Sequence, residues 1–226
     1  MTIALEKPGP DLPPRKLPRD ERRLQLIEAT VRTIARCGYA RTTMSEVARE
    51  AGLSHGLVNF HFQSKENLLR ETLLHLAEEY RLNWIAALTE AGPSAPDQIA
   101  ALLRADFNPG ICTNDRLSAW CAFWGEAQSR PIYQESCGAN DDAYNARLES
   151  LCARMNDELG YSGNPTRIAR ALRVTVEGVW LDMMTLQTPY SIDEAQATVM
   201  TAAAAFYPRH FEQPDSGLAG AVRTAG

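Results

Sequence analysis

The chain has 226 residues, of which 45% are apolar and 23% charged. Those are the proportions of a globular protein of one or two domains, and they exclude global disorder, a peptide hormone and a large multidomain enzyme. The net charge of −5 hides an asymmetry. Met1 to Lys65 carries eleven Lys/Arg against seven Asp/Glu, a balance of +4, whereas Glu66 to Gly226 carries twelve against twenty-one, a balance of −9. A basic head on an acidic body is the distribution expected where one end meets a polyanion.

Five prolines (Pro8, Pro10, Pro13, Pro14, Pro18) crowd the start of the chain, so residues 1–19 are expected to form a disordered tail. From Asp20 to Cys37, Leu24, Ile27, Val31 and Ile34 recur at three- and four-residue spacing, the period of an amphipathic helix that Gly38 ends. Thr43-Met44-Ser45-Glu46 has the form of a capping box, with the Thr43 hydroxyl closing the helix start and Glu46 reaching back. Met44, Val47 and Ala48 face inward. Glu50-Ala51-Gly52-Leu53 then turns the chain, and Ser54 caps a third helix with Val58 and Phe62 inward. Two short helices joined by a glycine-containing turn form a helix-turn-helix, here spanning residues 20–66.

In that motif the second helix enters the major groove of a DNA duplex. With Val58 and Phe62 inward, His55, Gly56, Leu57, Asn59 and Phe60 point outward, with His61 near the end and the Ser54 hydroxyl free to meet a phosphate. Gly56 costs a helix about 1 kcal/mol relative to alanine. Close approach of a duplex would account for it, and so would close packing of another helix. Lys65 follows the N-cap Ser64, where a cation opposes the helix dipole unless an anion lies nearby. The ammonium and the free N–H groups of the helix start would clamp a phosphate.

Beyond Lys65 the periodicity stays helical. Leu68, Leu69, Leu73, Leu76, Tyr80, Trp84 and Leu88 carry a long helix ended by Gly92-Pro93. Helices over Pro96 to Phe107, Asn114 to Ser129, Ile132 to Leu159, Thr166 to Gln187 and Ser191 to Tyr207 complete a body spanning 67–211, and 212–226 reads as a flexible tail. The fold class is all-α. Residues Ile168 to Leu186 are apolar nearly all round, so this helix must be covered on two sides. With the Ala202 to Ala205 stretch, it predicts a homodimer built on a four-helix bundle, hence a near-palindromic operator.

Trp120, Phe123 and Trp124 share one helical face. Such a stripe is either core or one wall of an aromatic cage for a quaternary ammonium. The candidates for a cage are Trp84, Asp106, Trp120, Phe123, Trp124, Tyr133, Tyr144 and Trp180.

No run approaches the length of a membrane span and no signal peptide opens the chain, so no membrane partner and a cytoplasmic location are expected. The five cysteines (Cys37, Cys112, Cys121, Cys137, Cys152) form no CxxC pair and read as small buried apolar groups. The histidines (His55, His61, His75, His210) show no metal-ligand spacing, so neither metal nor cofactor is expected. A thiol enzyme using Cys121 lacks a histidine in its segment and any nucleophile motif.

The run Thr43 to Glu66 resembles the DNA-binding region of the tetracycline-repressor (TetR) family: capping box, Ala-Gly turn, Ser-x-Gly, terminal His-Phe and following Lys occur in register. The resemblance covers residues 20 to 70. It implies that Ser54, His61 and Lys65 contact phosphates, that Thr43 meets the DNA backbone as it caps, and that His55, Leu57 and Asn59 fall where members read bases. Asn59 stands where many members have Tyr, which leaves the operator sequence open. A shorter resemblance, over Ala119 to Glu126, Arg130 to Tyr133 and Glu177 to Leu181, is to choline-responsive repressors of glycine-betaine synthesis (BetI-like). It implies an effector such as choline or a related quaternary amine. The expected function is thus a dimeric repressor of double-stranded DNA, released by a small cation. The alternatives are a TetR-family repressor of another pathway and a helical interaction protein that binds no DNA.

Overall fold

The structure, a computed structural model, describes residues 18–127 and 131–212, so the expected tails fall almost wholly outside the described residues. It contains helices α1 (Arg19–Cys37), α2 (Met44–Ala51), α3 (His55–Phe62), α4 (Lys65–Glu90), α5 (Ala95–Ala105), α6 (Asn114–Ala127), α7 (Pro131–Leu159), α8 (Pro165–Thr185) and α9 (Ile192–Phe206). Among the described residues there is no strand.

The helix starts are set by local hydrogen bonds. Thr43 Oγ1 accepts the Glu46 N–H at 3.1 Å, Ser54 Oγ the Leu57 N–H at 3.3 Å, and Ser64 Oγ the Asn67 N–H at 3.1 Å. The Glu46 carboxylate is not turned back as a full capping box would have it. It holds Arg49 and, at 3.0 Å, Arg36 of α1, because charge-assisted bonds outweigh one to a neutral N–H. Gly38 (φ +78°) and Gly52 (φ +66°) end α1 and α2 in backbone that favours glycine. The later boundaries differ from the sequence expectation by one or two residues: Ser94 starts α5 one residue early, and α8 stops at Thr185.

Two cores form. The smaller joins Leu26, Ile27, Ala29, Val47, Ala48, Val58, Phe62 and Leu68, and fixes α2 and α3 against α1 and the start of α4. Burying Phe62 completely stabilises this unit by about 2–3 kcal/mol. The larger core runs through α4 to α9 but also takes Val31 and Ile34 from α1, and Leu69 from the residue after Leu68. α1 therefore belongs to both, and its most extensive packing is on α6.

Along α8, Val179 and Trp180 are buried while Val174 and Leu181 are 57% and 52% exposed. With the exposed Gly178 between them, they form an apolar stripe that nothing in the single chain covers. Cys112, Cys137 and Cys152 are buried, whereas Cys37 and Cys121 are half-buried. No helix among the described residues is long and apolar enough to cross a membrane.

Candidate functional site

The first candidate surface is the open side of α3. Val58 and Phe62 are fully buried and pin the helix, leaving His55, Gly56 and Asn59 exposed and Phe60 65% exposed. Leu57 and His61 are half-buried. A Cβ placed on Gly56 would meet nothing closer than Ser54 Oγ, at 4.0 Å. Packing within the chain therefore does not demand glycine here, which removes one of its two explanations.

α1 supplies a basic flank that sequence reasoning missed. The Arg19 guanidinium lies 6.0 Å from the Phe60 ring centroid and that of Arg23 5.1 Å from Phe62. The signal was the Arg-rich start of α1, but its register against α3 is a tertiary fact. His61 Nδ1 is buried without a hydrogen-bond partner. Burial, reinforced by Arg19, Arg23 and Arg22, pushes the His61 pKa down, so the ring is neutral and presents a hydrogen-bond donor rather than a charge.

Lys65 has a structural role as well. Its Nζ donates to the carbonyl oxygens of Ala40 (3.0 Å) and Tyr39 (3.4 Å), just past the negative end of α1, and lies 5.8 Å from the Tyr39 ring centroid. These contacts offset the unfavourable place of a cation at the start of α4. They tie that start to the turn before α2.

The second candidate site is a ring cluster in the body. Trp120 and Trp124 (α6), Trp180 (α8), Tyr80 (α4) and Tyr144 (α7) are in mutual contact, with Trp124 stacked on Trp180 at 6.2 Å and 13°. Tyr133 joins through its hydroxyl, which accepts the Trp124 indole N–H at 3.0 Å. Trp84 packs edge-on against the outer side of Tyr144. Phe123 meets Tyr39, 5.7 Å away, and the two line a small space of their own with Tyr133. A helical face at positions i, i+3 and i+4 is wide enough for its three rings to reach two different neighbours.

Asp106 is fully buried beneath this cluster. Its carboxylate accepts the Tyr80 hydroxyl at 2.7 Å and the Tyr144 hydroxyl at 2.8 Å, while its carbonyl accepts the Trp180 N–H at 3.1 Å. Burial raises its pKa to about 6, against the pull of Tyr80, Arg173 and Tyr144. The space lined by Tyr80, Trp120, Trp124, Tyr133, Asp141, Arg173 and Trp180 is about 10 Å³, room for one water. Tyr80, Asp141 and Arg173 were absent from the sequence candidates, because each sits on a different helix and only folding brings them together.

A third cluster joins the two cores. His75 Nε2 lies 3.2 Å from Glu28 and 3.4 Å from Glu79, and Arg116 contacts the same carboxylates at 3.1 and 2.8 Å. Glu28, His75 and Glu79 could serve as metal ligands, although the Arg116 guanidinium already supplies the countercharge. The hydrogen bonds to Glu28 and Glu79 raise the His75 pKa to about 9.

Comparison with known proteins decides what carries these sites. Residues 26–72 match the bacterial regulatory proteins of the tetR family, and residues 95–208 match the BetI-type transcriptional repressor C-terminal region. The chain belongs to the TetR family, in its BetI-type branch. The HTH-type transcriptional regulator BetI of Agrobacterium fabrum is 32% identical over 79% of this chain and 84% of its own length. Two solved structures share the fold. A putative transcriptional regulator from Pseudomonas aeruginosa PAO1 has a TM-score of 0.73 at 23% identity, covering 86% of this chain and 94% of its own. One from Saccharomonospora viridis, solved in complex with choline, has a TM-score of 0.72 at 21% identity, covering 85% and 98%. TetR relatives of this kind are DNA-binding transcriptional regulators and not enzymes, which answers the thiol-enzyme alternative.

Proposed function

We propose that two copies of the chain, joined through the uncovered stripe of α8 and the neighbouring α9, hold their α3 helices in successive major grooves of a near-palindromic operator. On this reading a small quaternary ammonium such as choline binds the ring cluster and releases the DNA. The observation that carries the effector is the convergence of rings from three helices, Tyr80 of α4, Tyr144 of α7 and Trp180 of α8, on the buried Asp106, a setting that favours a cation over a neutral apolar molecule. The choline complex of the similarly folded Saccharomonospora viridis protein supports the same ligand class. His55, Leu57, Asn59 and Phe60 would meet base edges, with Thr43, Ser54, His61 and Lys65 on the backbone.

A route from cluster to DNA follows from the packing. α6 carries Arg116 in its first turn and Trp120 and Trp124 one and two turns further on, and Arg116 grips Glu28 on α1. An effector that favours a different α6 position would move α1, and α3 with it. It can do so only by binding the two arrangements unequally; moving a 1:99 population to 99:1 takes about 5.5 kcal/mol.

Three measurements test this. Affinity for the chain's own upstream promoter should fall steeply with salt, the slope of log K against log salt being about −0.9 per phosphate contacted; a flat line rejects the DNA reading. Calorimetry with choline, glycine betaine and betaine aldehyde should show one of them binding; heat from none of them rejects the effector class. Trp124→Ala should leave DNA affinity within about twofold, since the ring is remote from α3, while choline no longer releases the DNA. Retained release would remove Trp124 from the site.

Choline binding should also depend on pH. A bound cation favours ionised Asp106, whose pKa burial raises to about 6. Affinity is therefore highest above that value and weakens as pH falls through it, by up to about tenfold per unit. Asp106→Asn should abolish this dependence, and a wild-type affinity that is level from pH 5 to 8 would exclude Asp106 as the counter-ion.

A further inference from the structure

Resting on the reading of the body as a cation-responsive unit, we infer that the Arg173 guanidinium is a built-in occupant of the cation site, and that the effector enters through the α7–α8 cleft and displaces it. The guanidinium carbon lies 4.8 Å from the Tyr144 ring centroid and 5.9 Å from that of Tyr80, the position a bound organic cation would take over those two faces. Its hydrogen bonding is incomplete for a buried group. Nε donates to Glu177 at 2.8 Å, Nη2 reaches Asp141 only at 3.5 Å, and Nη1 is buried with no hydrogen-bond partner. An unsatisfied buried donor is a standing cost that departure of the side chain relieves.

The way in is next to it. A cleft of about 300 Å³ opens between α7 and α8, lined by Asp141, Asn145 and Glu149 on one side and Arg170, Arg173 and Glu177 on the other. Asp141 and Arg173 line both this cleft and the 10 Å³ space among the rings. Arg173 thus stands between an acid-rich cleft and the narrow space among the rings. That space cannot receive a choline-sized molecule as it stands, whereas the volume vacated by a guanidinium and its stem, joined to the cleft, can. Charge permits the exchange: Asp106, Asp141 and Glu177 surround a single arginine. Arg173 keeps its bond to Glu177, one helical turn away, as it swings into the cleft.

Competition between the two cations makes a prediction opposite in sign to that for an ordinary binding residue. Arg173→Met keeps a flexible apolar stem and removes the competitor, so choline measured by calorimetry should bind it about tenfold tighter or more than the wild type. Arg173→Lys, which retains charge and serves if the methionine variant folds poorly, should bind choline a few-fold tighter, because a strongly hydrated ammonium leaves the rings more readily. Independently of choline, millimolar methylguanidinium should quench tryptophan fluorescence in Arg173→Ala and not in the wild type, by refilling the vacated place. Weaker or unchanged choline binding in both Arg173→Met and Arg173→Lys overturns the inference while leaving choline as effector. If choline binds no form but methylguanidinium fills Arg173→Ala, the displaceable cation stands and the choline reading falls. If neither ligand binds any form, both fall.

Discussion

Gly56→Ala is expected to separate folding from DNA binding. The residue sits in the first turn of α3, exposed, with ordinary helical backbone and no neighbour that a methyl group would strike. Alanine there recovers about 1 kcal/mol of helix propensity, so the melting temperature should rise by about 2–4 °C for a chain of this size. Affinity for operator DNA should fall about tenfold or more, since the added methyl would stand between α3 and the duplex. A band-shift titration beside a thermal melt reads both. If the variant is stabilised and binds DNA as tightly as the wild type, α3 does not approach a duplex at this point. Its helix start would then need another explanation.

Arg116→Met is expected to break communication between the cores. Among the described residues, Arg116 is the guanidinium that bonds both Glu28 of α1 and Glu79 of α4. Its removal leaves those two carboxylates facing each other with His75 alone between them. Stability should fall by about 1–2 kcal/mol, a half-buried pair being worth less than a fully buried one. The larger effect should be on release: choline should still bind, yet about tenfold more should be needed to free the operator. Unchanged release with lowered stability would show the network to be a brace alone. The same cluster gives a pH signature. His75 has its pKa raised to about 9 by Glu28 and then Glu79, above the value near 6.5 of the unfolded chain. The stabilisation is therefore complete below about 6.5 and is lost as pH rises through about 9, a change of about 1–2 kcal/mol after screening. His75→Gln should flatten the melting temperature across that interval.

What the sequence made legible was local. Thr43, Ser54 and Ser64 announce helix starts because each cap is a bond to a backbone N–H three residues on, and periodic apolar positions mark which side of α3 is buried. Trp120 and Trp124 announce a shared face for the same reason, but not what the face meets, so the contact of Phe123 with Tyr39 was not readable. Arg173, Asp141 and Tyr80 carried no signal, since their meeting depends on how α4, α7 and α8 cross. Lys65 shows the same limit from the other side. Its unfavourable position was readable, whereas the carbonyls of Tyr39 and Ala40 that compensate it were not.

The division of α1 between two cores has a consequence for any attempt to dissect the molecule. A fragment ending before α4 would carry Val31 and Ile34 with their apolar surfaces turned to water, and Glu28 without its partners. Such a fragment is not an autonomous module. A chimera that exchanges heads between relatives would have to bring along an α6 shaped to the incoming α1, because the seam runs along a helix rather than through a linker.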